Sequence, residues 1–142
     1  TQPVTYHLKI NILEALNLSG SGTIESVGIV GRRLKVNMDG SGHIKILNLD
    51  ANALEVKLSG SGDVELAGNI LEQDVNISGA GNYVSPELHC GISRIKIPGS
   101  GSAYVEATNR LEVDIPGSGK VYYEGDPEVK QNLSGSGELI KR

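Results

Sequence analysis

The 142 residues predict an all-β fold, a single-stranded right-handed parallel β-helix of about seven coils of 18–20 residues. Three observations lead there. The triplet Gly-Ser-Gly begins at Gly20, Gly40, Gly60, Gly99, Gly117 and Gly135, and Gly79-Ala80-Gly81 fills the remaining place, giving spacings of 20, 20, 19, 20, 18 and 18 residues. Short runs of alternating apolar and polar residues flank each triplet, as in Leu54-Glu55-Val56-Lys57-Leu58 before one and Asp63-Val64-Glu65-Leu66 after it. Such alternation puts one set of side chains on each face of a strand. The copies also align into apolar columns. Four residues before the first glycine stand Leu16, Val36, Val56, Val75, Ile95, Val113 and Gln131, and two before it Leu18, Met38, Leu58, Ile77, Ile97, Ile115 and Leu133. Four after it stand Ile24, Ile44, Val64, Tyr83, Ala103, Val121 and Leu139.

A unit this short cannot bury its own apolar face, so like units stack and pair equivalent strands in parallel around a continuous interior. Antiparallel hairpins turning at the triplets are the rival, pairing the two runs beside one triplet instead of runs one repeat apart. The absence of a strict six-residue rhythm favours the right hand. Along the chain, residues 1–14, with Tyr6, Leu8, Ile10 and Ile12 alternating, are expected to form an N-terminal covering strand, and 15–142 the repeat coils of one domain. Each coil then consists of a strand, a Gly-X-Gly corner and a second strand. Fourteen of the 19 glycines are structural turn glycines: Gly20, Gly22, Gly40, Gly42, Gly60, Gly62, Gly79, Gly81, Gly99, Gly101, Gly117, Gly119, Gly135 and Gly137. Positive φ and a lack of room for Cβ are both expected to favour glycine there. Gln131, the one polar member of the three columns, falls in the last copy, where an array ends.

Composition narrows the function. Leu, Ile and Val make up 40 of 142 residues, enough to fold, and with neither Trp nor Phe the core is aliphatic. A net charge of −4 argues against nucleic acid, and no apolar run reaches the roughly 18 residues of a membrane-spanning helix. One cysteine, Cys90, excludes an internal disulfide, and His7, His43, His89 and Cys90 lack zinc-site spacing, with His89-Cys90 reading as a loop feature. The position after each triplet carries only Asp63 and Glu138 as carboxylates, too few for a calcium ladder. A strand, not a helix, follows each triplet, so the glycines do not cradle phosphate. No cofactor or metal is expected. Stacking places His43 beside Asp63 as the best acid–base pair, but no nucleophile or third group accompanies them, and the chain reads as a non-enzyme.

The outward columns differ from one another. Five residues before the triplet, Lys35, Glu55, Asp74, Arg94, Glu112 and Lys130 put opposite charges on neighbouring coils and read as a structural, register-setting face. Five after it, Glu25, Lys45 and Glu65 give way to Val84, Tyr104, Tyr122 and Ile140. An outward apolar ridge marks an interaction surface, with cover by the chain itself as the alternative. The adjacency of Tyr122 and Tyr123 leaves open which of them faces out.

The repeat, together with the run Gly117-Ser118-Gly119-Lys120-Val121-Tyr122-Tyr123-Glu124-Gly125-Asp126-Pro127, resembles the bacterial family described as "putative auto-transporter adhesin, head GIN domain", over roughly residues 14–142. The resemblance implies a protein that is secreted, periplasmic or at the cell surface, with a role in adhesion and no catalytic residues. The function expected is therefore that of a non-catalytic surface-interaction module, its partners a second copy of itself, a glycan or a surface protein. The alternative is a polysaccharide-binding module or a carbohydrate-active enzyme on the same scaffold, with Tyr104 and Tyr122 as stacking platforms for sugar rings.

Overall fold

A computed structural model describes residues 5–8 and 15–142. Among the described residues twelve strands form one parallel system that winds into a solenoid of about six turns. Seven triplets are seven corners, and seven corners bound six complete turns.

The strand after each corner lies on the first face. In order these are β3 (Thr23–Val27), the opening halves of β5 (His43–Leu58), β6 (Asp63–Ile77) and β7 (Asn82–Lys96), then β8 (Ser102–Glu106), β10 (Lys120–Glu124) and β12 (Glu138–Lys141), and β1 (Thr5–Leu8), ahead of the first corner, pairs β3 on the same face. The strand before each corner lies on the second face: β2 (Ala15–Gly20), β4 (Val30–Gly40), the closing halves of β5–β7, then β9 (Arg110–Asp114) and β11 (Glu128–Asn132). Partners sit one repeat apart, as in Leu34↔Leu54 and His43↔Asp63. The hairpin arrangement is thereby excluded. β1 adds a further parallel rung, Thr5 opposite Thr23, and the rest of the expected covering strand over 1–14 lies outside the described residues.

The three apolar columns are the core. Every member is buried except those of the last copy, where Gln131 and Leu133 are exposed and Leu139 half-buried. Two further inward columns escape an apolar pattern because serine and glutamine interrupt them: Leu34, Leu54, Gln73, Ser93 and Leu111 on the second face, and Ser26, Ile46, Leu66, Ser85 and Val105 on the first. The buried polar members are hydrogen-bonded. Tyr83 Oη donates to Gln73 Oε1 at 2.6 Å, Gln73 Nε2 donates to Ser93 Oγ at 2.8 Å, and Ser85 Oγ donates to the Tyr104 carbonyl at 2.8 Å. Among the described residues no buried side-chain nitrogen or oxygen lacks a partner, as burial requires.

Lack of room for Cβ, one of the two reasons expected for the corner glycines, is the general one, and positive φ is confined to the first corners. Of the triplet glycines only Gly20 (φ +91°) and Gly40 (φ +124°) adopt positive φ. From Gly40 onward the first glycine of each corner lies against the backbone of the corner below, where a Cβ would collide with a carbonyl oxygen. The corners are bonded to one another, as by Ser61 N to Gly40 O at 2.9 Å. Positive φ recurs instead at a second bend, eight residues after four of the first glycines, in Gly28, Asn48, Gly68 and Gly125. Asparagine is among the few residues with a side chain that tolerate this conformation. Cys90 lies not in a loop but inside β7, buried, with its thiol pushed up by burial.

Candidate functional site

The first face carries the outward column that the sequence singles out. Backbone register aligns Glu25, Lys45, Glu65, Val84, Tyr104, Tyr122 and Ile140 as successive rungs. Parallel pairing repeats about every 4.8 Å, so the last four side chains make one ridge along the solenoid axis. All four are half-buried. Tyr123, the neighbour that competed with Tyr122 for the outward position, packs against the core opposite buried Val105.

The two outward tyrosines stack. Their ring centroids are 4.5 Å apart and their planes 17° from parallel, and the Arg142 guanidinium lies 5.1 Å from the Tyr104 centroid. Ring faces are thus turned along the axis toward each other and toward a cation. One face of each ring is taken by the other ring and is not open to a sugar. Arg142 joins the ridge through the last rung, where its backbone N–H donates to the Tyr123 carbonyl at 2.8 Å. It carries no repeat signal, and only the stacked coils bring it to Tyr104, 38 positions earlier in the sequence.

A shallow groove of about 300 Å³ runs beside the ridge. One wall is Glu65, Val84 and Tyr104; the other is the ladder His43, Asp63, Asn82 and Ser102. His43 and Asp63 are register partners, as the spacing requires, while Asp63 Oδ1 accepts a hydrogen bond from Asn82 Nδ2 at 3.0 Å. Polar ladder and apolar ridge together offer an amphipathic contact surface. Among the described residues, no cluster of three or more His, Cys, Asp or Glu side chains is placed to hold a metal, and no helix is long and apolar enough to cross a membrane.

The stacked Gly-X-Gly corners between alternating parallel strands match the family described as "putative auto-transporter adhesin, head GIN domain" over residues 1–127. The chain belongs to this family. The match runs through Asp126-Pro127 and leaves out the final corner, whose rung is also the most exposed. No curated protein matches the chain significantly. A crystal structure of a "putative lipid binding protein" from Parabacteroides distasonis ATCC 8503 is similar at 31% identity with a TM-score of 0.88. That likeness covers 98% of this chain and 56% of the other, so the chain spans little more than half of that relative's length.

Proposed function

We propose that this head GIN domain is a non-catalytic interaction module, secreted or held at the cell envelope, whose contact surface is the ridge Val84, Tyr104, Tyr122 and Ile140. The stacked tyrosine pair carries this reading. Half-exposed aromatic rings in one row leave apolar surface in water, at roughly 25 cal/mol per Å², and docking a partner removes it. The family's description as an adhesin head supports a surface role. The solenoid has only side chains to offer a partner on this face, because its strand backbone is already paired between coils. A second copy of the chain meeting the ridge is the simplest occupant.

The description of the similar crystal structure as a "putative lipid binding protein" supports a second reading, in which the ridge meets lipid. The Arg142 guanidinium beside Tyr104 would suit an anionic headgroup. Light scattering of the wild type and of the double variant Tyr104→Glu, Tyr122→Glu tests the main reading. A concentration-dependent dimer that the variant abolishes supports it. Monomers at every concentration, together with variant-sensitive flotation on phosphatidylglycerol vesicles, would favour the lipid reading.

A further inference from the structure

The second face holds a larger groove, of about 470 Å³, that the tyrosine ridge does not touch. It crosses five rungs, from β5 through β6, β7 and β9 to β11, or about 19 Å along the axis at the spacing of parallel strands. Its floor is the strand backbone at Val56, Val75, Ile95, Val113 and Gln131, whose amides and carbonyls belong to the parallel ladders. Hydrogen bonds to a ligand therefore come from the walls. One wall is the charged column Glu55, Asp74, Arg94, Glu112 and Lys130; the other is Lys57, Asn76, Lys96, Asp114 and Asn132.

Four of the five charges on the first wall, those of Glu55, Asp74, Arg94 and Glu112, are held in ion pairs. Arg94 reaches Glu112 at 3.2 Å and both Asp74 and Glu72 at 3.6 Å, and Glu55 lies 3.6 Å from Lys57 and 3.9 Å from Lys35. Across the ten wall residues neither sign is in excess: four are acidic, four basic and two are asparagines. A polyanion or polycation gains nothing overall from such a lining and would have to compete with pairs already formed. An uncharged ligand leaves those pairs intact and finds a preorganised surface.

The walls repeat every rung, so the ligand that uses them all is itself a repeating polymer lying along the axis. Strand addition by an extended peptide needs an open strand edge, and the backbone of this face is already paired between coils. We propose that this groove binds an uncharged, extended polysaccharide, whose hydroxyls are bonded rung by rung, with the Asn76 and Asn132 amides as direct contacts. This site is independent of the ridge on the first face.

Affinity electrophoresis of the whole chain through gels containing hydroxyethyl cellulose, galactomannan, polygalacturonate or chitosan tests it. At least one of the two neutral polymers should retard the wild type, with little dependence on salt. Asn76→Ala together with Asn132→Ala should weaken that retardation roughly fivefold or more, the loss of at least one hydrogen bond, with unchanged far-UV circular dichroism. Should that pair fail to fold, Lys96→Gln, at an exposed position on the same wall, should weaken it instead. The Tyr104→Glu, Tyr122→Glu protein should migrate as wild type does, which separates this site from the ridge. Retardation by neither neutral polymer, stronger and salt-sensitive retardation by polygalacturonate or chitosan, or loss of binding in the tyrosine variant would each overturn the assignment.

Discussion

Val56 and Lys57 are neighbours in sequence and opposites in environment, the first fully buried and the second exposed beside Glu55. Val56→Asp puts a carboxylate into a dry column and should cost several kcal/mol, whereas Lys57→Gln should change stability by no more than about 0.5 kcal/mol. Urea denaturation of the two variants decides, and equal midpoints would refute the inward and outward assignment. The interior network gives a second expectation at the same scale. Tyr83→Phe strands the buried Gln73 Oε1 that now accepts the phenol proton, at a cost of about 1–3 kcal/mol. A variant as stable as the wild type in the same titration would mean that Gln73 finds another donor.

Corners and bends are the elements on which the coil depends, and two glycines separate the reasons for them. Gly60 has ordinary φ but stands against the backbone nitrogen, carbon and oxygen of Gly40 in the corner below. Gly20 has φ +91° and nothing within 4 Å of where a Cβ would be. Gly60→Ala should therefore cost about 3 kcal/mol or more, since two stacked backbones must separate, and Gly20→Ala only about 1–2 kcal/mol of backbone strain. Thermal melts of both proteins would show it; a larger loss at Gly20 would make positive φ, rather than close stacking, the reason for the glycines.

For the whole solenoid, cohesion falls toward the C-terminal end. Every residue of β11 is exposed, and Val129 and Leu133 each retain 37% of their accessible surface. Hydrogen exchange should be faster in β11 and β12 than in β5–β7, because within these 142 residues β11 pairs only β9 and β12 only β10. Uniform protection from β5 to β12 would indicate a partner on that end. Alkaline pH acts on the molecule as a whole. Burial raises the Cys90 thiol above its ordinary 9.0 and the Tyr83 phenol above its ordinary 10.0, so both stay neutral in the fold while the unfolded chain ionises. Stability is thus intact below about pH 9 and falls as pH rises beyond it, by up to about 1.4 kcal/mol per pH unit for each group. Urea titrations from about pH 8 to pH 11 measure the fall, and Cys90→Ala should delay its onset. A flat profile would show that neither group is protected by the fold.

The sequence by itself determined the parallel solenoid, the strand register and the outward column that ends in Val84, Tyr104, Tyr122 and Ile140. A repeat aligned on one corner reads off every column that runs straight up a face, and parallel stacking makes each column a row of neighbours. The second bend was also within reach, since Gly28, Asn48, Gly68 and Gly125 fall at one offset from the corner. Only the tertiary structure decided what happens between faces. Tyr83 and Gln73 lie ten residues apart on opposite walls of the interior, and their hydrogen bond depends on how one face folds over the other. Likewise the tyrosine rings could have turned outward or onto each other, and Arg142 could have pointed into solvent. Periodicity places Cα positions in rows, whereas the rotamers that stack one ring on the next and bring a terminal cation to it follow from packing among coils.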